Sequence, residues 1–142
     1  MAAKTSARIA PPPYRLIYVE DDVVSICVAQ QVVANLPQLA LATASSLDKA
    51  LKLARSSPPE LMMVNLELAG MGAATLMQIL HANPATQSCP VLALGIDATP
   101  QAAVKALEAG FFLYLAKPLQ PGPLGDALGY ALEFSALERA EL

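Results

Sequence analysis

A single histidine, two cysteines and a scarcity of charge limit the chemistry open to this chain. With only His81 present, a His-rich metal centre and a Ser-His-Asp triad within one chain are both disfavoured. His81 falls just before Asn83 and Pro84, where it reads as a surface or helix-end cation. Cys27 and Cys89 form neither a C-x-x-C pair nor a metal-ligand spacing, and both are expected as buried free thiols. No apolar stretch reaches the roughly 18–20 residues that a membrane helix needs. Met1 to Ala10 carries Lys4 and Arg8 but no apolar segment, so it does not read as a secretory signal. Neither G-x-G-x-x-G nor a Walker A pattern occurs, which removes the main support for dinucleotide or nucleoside triphosphate binding. Only 15% of residues are charged, the net charge is −3 and the pI is about 5.0. Without a basic patch interleaved with aromatics, direct nucleic-acid binding is disfavoured.

What is present is apolar. Of the 142 residues 55% are hydrophobic and the mean hydropathy is +0.45, a balance that suits one domain with strands buried on both faces. Residues 1–13 end in three prolines and read as a flexible lead with a stiff end; residues 14–142 read as the domain. Within it, short apolar runs alternate with amphipathic stretches. Strands are expected at Arg15–Glu20, Leu39–Ala44, Leu61–Leu66, Pro90–Gly95 and Phe111–Ala116. Helices are expected at Val23–Asn35, from Ser46 to the Ser57-Pro58 break, at Ala73–His81, from Thr99-Pro100 to Gly110, and from Leu124 to about Arg139. Five strands alternating with five helices argue for an α/β, doubly wound parallel sheet with right-handed crossovers. No internal repeat is visible, and no second domain is expected after the fifth helix.

In such a sheet, ligands gather where the carboxyl ends of the strands meet. The first strand delivers Glu20, Asp21 and Asp22 there, the third delivers Asn65, and the fifth delivers Lys117 followed by Pro118. Carboxylates suit a hard cation, and a lysine suits phosphoryl oxygens. Charged residues also end strands simply because they reach solvent, but three acids and a Lys-Pro pair at matching strand ends make a more specific pattern.

That ordered set resembles the receiver domain of two-component response regulators, over nearly the whole chain after the proline segment. The resemblance implies a five-stranded, flavodoxin-like (βα)5 fold with strand order 2-1-3-4-5, in a cytoplasmic bacterial phosphorelay. It implies that Glu20 and Asp21 are the acidic pair with Asp22 beside them, and that Asp21 would be the direct Mg²⁺ ligand. It implies a cis bond before Pro118, and that Tyr114 is the aromatic switch residue of the fifth strand.

The departures from that family carry the functional reading. Asn65 stands where the family has its phosphoaccepting aspartate, and an amide has no anionic oxygen to attack phosphorus. Gly95 stands where the family has a Thr or Ser hydroxyl that bonds the phosphoryl group. The loop after Asn65 keeps Gly70 and Gly72 but loses the family's proline and Asp-Gly turn. Asn65 could offer Mg²⁺ its side-chain carbonyl and Glu67 a backbone carbonyl, but with one carboxylate fewer the binding by Glu20 and Asp21 is expected to be weak if it occurs, and no cofactor is assigned. Lys117 is expected to bond Asp21 and Asn65 directly.

The expectation is a degenerate receiver, not an enzyme, that acts as a phosphorylation-independent interaction module. Its partner would be a histidine kinase, an output protein, or a second copy as a homodimer, with no nucleic acid and no membrane. The interface is expected on the fourth-helix, fifth-strand, fifth-helix face at Phe112, Leu113 and Leu128. Met62, Met63, Val23 and Val24 read as core. The alternatives are phosphotransfer to another carboxylate (Asp22, Glu67 or Asp97) and small-ligand sensing at the vestigial pocket.

Overall fold

The computed structural model describes residues 13–140, the last two as backbone alone; of the proline-rich lead only Pro13 falls within them. Five parallel strands form one sheet in the order β2-β1-β3-β4-β5: β1 Tyr14–Val19, β2 Leu39–Ala44, β3 Leu61–Asn65, β4 Val91–Gly95 and β5 Leu113–Ala116. The helices between them are α1 Val23–Ala34, α2 Leu47–Ser56, a single turn α3 Leu66–Ala69, α4 Ala73–Ala82, α5 Pro100–Ala109 and α6 Pro121–Ala140. This is the expected doubly wound architecture and strand order.

Alternation along the strands divides the core in two. Leu16 and Tyr18 of β1, Leu61 and Met63 of β3, and Leu92 and Leu94 of β4 point to one face, where α1 and α6 cover them. Ile17, Val19, Met62, Val64, Val91 and Ala93 point to the other, against α2, α4 and α5. β3 and β4 are buried throughout, as strands sandwiched between helix layers must be. Because the period is two, Tyr18 and Glu20 project from the same side of β1, which matters for the site below.

Local signals set the element ends. Asp22, Ser46 and Thr99 cap α1, α2 and α5 by accepting backbone N–H bonds from Ser25, Lys49 and Ala102. Gly110 ends α5 at φ +109, a conformation that only glycine adopts readily. The next residue, Phe111, is buried in the core, so the chain joins β5 two residues later than expected.

Two other expectations are corrected. α6 starts at Pro121, three residues before the expected Leu124, although Pro121, Gly122 and Pro123 look like a loop. The first-turn N–H groups of a helix have no intrahelical partner, so prolines there forfeit no helix bond. Cys27 is exposed on α1 and Cys89 half-buried, so neither is the fully buried thiol expected.

Candidate functional site

The carboxyl ends of β1, β3 and β5 bring Glu20, Asn65 and Lys117 into one cluster, with Glu20 at its centre. Glu20 is 1% exposed, and a bare carboxylate buried to that degree is costly. Every direction around it holds a donor. Lys117 Nζ lies 2.9 Å from Oε1, and the Tyr18 hydroxyl donates to the same oxygen at 2.9 Å. Oε2 accepts from Asn65 Nδ2 at 2.7 Å and from the backbone N–H groups of Asp21 and Asp22 at 3.2 and 3.3 Å. Burial by itself pushes the Glu20 carboxyl up; the bonds from Lys117, Asn65, Tyr18 and the Asp22 N–H outweigh it and hold the group below its ordinary range. Conversely, burial, then the bond to Glu20 and its charge, push the Tyr18 phenol far up, so Tyr18 remains a donor.

Asn65 has a fixed orientation with a chemical consequence. Its Oδ1 accepts from the N–H groups of Glu67 and Leu68, at 3.0 and 3.4 Å, and so caps α3. With the carbonyl oxygen turned to the helix, the NH₂ group must face Glu20. An aspartate could cap the same turn, but its second oxygen would then sit against Oε2 of Glu20, anion on anion. The amide supplies at this point the positive partial charge that two facing carboxylates would need from a cation.

The donor set therefore does not fit a Mg²⁺ ion. Hard cations take oxygen ligands with free lone pairs; here the lone pairs of Glu20 are engaged and Asn65 presents hydrogens. Asp21 is exposed at the rim. Among the described residues no three His, Cys, Asp or Glu side chains come together in a metal-holding group.

The remaining candidates separate. Lys117 pairs with Glu20, and more loosely with Asp22 at 4.0 Å, not with Asp21 or Asn65 as expected. The reason is burial: only Glu20 lies deep enough to need a permanent counter-charge. Asp22 serves the α1 cap, where Ser25 Oγ and N both donate to it, and these bonds lower its pKa. Glu67 is exposed and accepts from Ile96 N at 3.4 Å. The Lys117–Pro118 peptide is cis, as expected.

Gly95 and Tyr114 form a second coupled pair. A Cβ at position 95 would lie 2.5 Å from Oη of Tyr114 and 3.2 Å from two ring carbons, so the ring occupies the place of the missing side chain. The Tyr114 hydroxyl donates to the carbonyl oxygen of Asp97 at 2.6 Å. Burial, with the charges of Glu67 and Asp97, pushes its phenol up. Gly95→Thr is expected to expel the ring at about 1–3 kcal/mol, the usual cost of overfilling a packed site. Urea unfolding measures the loss, and phenol titration should show Tyr114 falling back toward ordinary behaviour. A variant as stable as the natural chain with an unchanged titration would contradict this packing.

The interface residues expected from sequence are corrected in part. Leu128 is 0% exposed and belongs to the core between α6 and the sheet, so it cannot meet a partner. Phe112 and Leu113 are half-buried against the same core, and Phe112 stacks on Phe134 of α6 with ring centroids 5.2 Å apart. What that flank exposes instead is Val104 and Leu107 of α5 with Phe134 and Leu137 of α6.

Sequence reasoning missed Tyr18 as a site residue and Asn65 as a cap. Both had signals. Tyr18 is two residues before Glu20 on the same strand face, and Asn is a favoured N-cap before a short run closed by glycine.

Known proteins match this chain as follows. The sequence profile of the response regulator receiver domain matches residues 16–128. The transcriptional regulatory protein ZraR of Salmonella typhimurium is 35% identical over 127 residues, 89% of this chain but only 28% of that protein's length. Among solved structures, the receiver domain of the sensor histidine kinase PA1611 from Pseudomonas aeruginosa, with magnesium coordinated in its active-site cleft, aligns with a TM-score of 0.70 at 20% identity, covering 84% of this chain and 98% of that one. A response regulator from Desulfuromonas acetoxidans aligns with a TM-score of 0.74 at 22% identity, covering 85% and 98%. At these identities the structural matches speak to fold alone.

Proposed function

Since this chain belongs to the response regulator receiver domain family of two-component signalling, we propose that it is a degenerate receiver, held in one state and working as a phosphorylation-independent binding module and not as an enzyme. The observation that carries this reading is the bond from Asn65 Nδ2 to Glu20. It puts a hydrogen-bond donor where the resemblance calls for a nucleophilic carboxylate, and it closes around Glu20 the space that a cation would take. Gly95 and the inward Tyr114 support the same reading, because the hydroxyl that would report a phosphoryl group is replaced by the ring it would have moved.

The partner in this reading is a histidine kinase or an output protein, in a bacterial, cytoplasmic setting and without direct nucleic-acid contact. The receiver spans about 28% of the length of the curated relative it matches, so any output activity is part of the same proposal. The partner would meet the α5–β5–α6 flank at Val104, Leu107, Phe134 and Leu137, which leave large apolar area exposed. No helix among the described residues is long and apolar enough to cross a membrane.

Phosphotransfer through another carboxylate finds little support, since Asp22, Glu67 and Asp97 each accept a backbone N–H in a cap or loop. Small-ligand sensing has one observation in its favour, a cavity of about 320 Å³ lined by Leu66, Met71, Lys105 and Tyr114.

Thermal unfolding separates the readings. Millimolar Mg²⁺ with acetyl phosphate is expected to move the midpoint of the natural chain by less than about 1 °C, because neither species gains a folded-state site. A rise of several degrees would overturn the proposal.

A further inference from the structure

From Val23 to Leu47 the chain carries no Asp, Glu, Lys, Arg or His. That stretch is α1, the connection after it, and β2. The two elements pack together and form one flank of the molecule, because β2 is an outer strand of the sheet and pairs with β1 alone among the described residues. An outer strand leaves a row of backbone N–H and C=O groups unpaired, and soluble proteins usually guard such an edge with lysine, proline or a bulge. β2, with the sequence Leu39-Ala40-Leu41-Ala42-Thr43-Ala44, has none of these.

The helix beside it is unguarded too. Val23 and Val24 are each 71% exposed, against their expectation as core, and Cys27, Gln30, Gln31 and Ala34 complete the solvent side of α1. Between the end of α1 and β2 lies a cavity of about 440 Å³ that includes Val33, Leu36 and Leu41 in its lining. Depletion of charge, more than bulk hydrophobicity, marks the centre of a protein interface.

We propose that this flank is the contact between two copies of the chain. β2 would pair antiparallel with β2 of the partner copy into a continuous ten-stranded sheet, with the two α1 helices alongside each other. The occupant follows from symmetry. In a two-fold interface the same patch meets itself, so any single charge near the axis would face its own like. A stretch without charge from Val23 to Leu47 removes that repulsion at the axis, which a heterologous partner of opposite charge would not need. On the other sheet face the charges near β2 are Arg15 of β1, in register with Ala40, and Asp48, Lys49 and Lys52 of α2; they are of both signs, so they can pair across the axis. The end of β2 touches the Glu20 cluster, where the Glu20 N–H donates to the carbonyl oxygen of Ala44 at 2.9 Å. Ala40, Thr43 and Gln31 make none of the side-chain bonds to Glu20, and the contact lies apart from the α5–β5–α6 flank, so its test stands or falls independently of the proposed signalling role.

Sedimentation velocity of the full chain tests it. The natural chain is expected to run at about twice its 14.8 kDa mass at concentrations up to about 100 µM, the range in which a modest interface associates. Ala40→Lys with Thr43→Lys, both exposed on β2, is expected to weaken association at least about 100-fold, since a two-fold contact would bury like charges against each other. Leu137→Lys on the far flank should leave it unchanged. If the double variant fails a circular-dichroism check of folding, Gln31→Lys on α1 replaces it, with a loss of at least about tenfold. Amide exchange over residues 39–44 should slow as protein concentration rises.

A natural chain that stays monomeric overturns the proposal. So does a folded β2 or Gln31 variant that still dimerises, or a dimer that only Leu137→Lys breaks. Protection of residues 39–44 that is independent of concentration in a monomer would assign the edge to another segment of the chain, and equally overturns it.

Discussion

Lys117→Met is expected to destabilise the folded chain by about 3–5 kcal/mol at neutral pH, the usual result of removing one partner from a buried ion pair. The loss comes from Glu20. Its carboxylate is almost wholly buried and Lys117 is its only close cation among the described residues; Asp22, also near the lysine, is exposed and contributes little. The pH dependence identifies the cause. Glu20 in the natural fold lies below its ordinary value of 4.5. Its contribution is therefore complete above that value and is lost as pH falls through the lowered folded value. Without Lys117 the folded group rises, and once it is protonated it needs no cation. The stability gap between natural and variant chains is thus expected to narrow as pH falls from 7 to about 3.5. Urea unfolding at both pH values measures it. A gap of equal size at both would mean that Lys117 acts through packing.

Asn65→Asp has the next largest effect, and its sign depends on metal. In metal-free buffer the variant loses a hydrogen bond to a charged group and gains a second carboxylate against the first. Together these cost about 2–4 kcal/mol. The two carboxyls would then share a proton, so the variant should recover stability as pH falls. Mg²⁺ should also restore it, since a cation satisfies two facing carboxylates as the amide satisfies one. The natural chain should show neither response. An Asn65→Asp chain as stable as the natural one without metal would show that the Asn65–Glu20 bond contributes nothing.

Much of this was legible in the sequence, and the failures share a physical origin. Strand positions could be read because Leu61–Val64 and β4 are apolar runs and the turns carry Pro, Gly or capping residues; the strand order came from the resemblance. Glu20, Asn65 and Lys117 could be read because each ends a strand. Which of the three acids binds Lys117 could not, since that depends on depth below the surface: Glu20 points inward with Tyr18, while Asp21 points out. Val23 and Val24 were misassigned because α1 has no charged face, so helical periodicity gave no orientation. Phe112 looked like surface because its partner, Phe134, lies on a different element. Leu128 was assigned to the interface from sequence, and the packing of α6 puts it in the core.

Intact-mass analysis after incubation with acetyl phosphate and Mg²⁺ tests the central claim most directly, with the natural chain and Asn65→Asp run in parallel. The account predicts no adduct on the natural chain, and one phosphoryl group on the variant. A phosphoryl adduct on the natural chain would contradict it, and mapping the modified carboxylate would then name the acceptor.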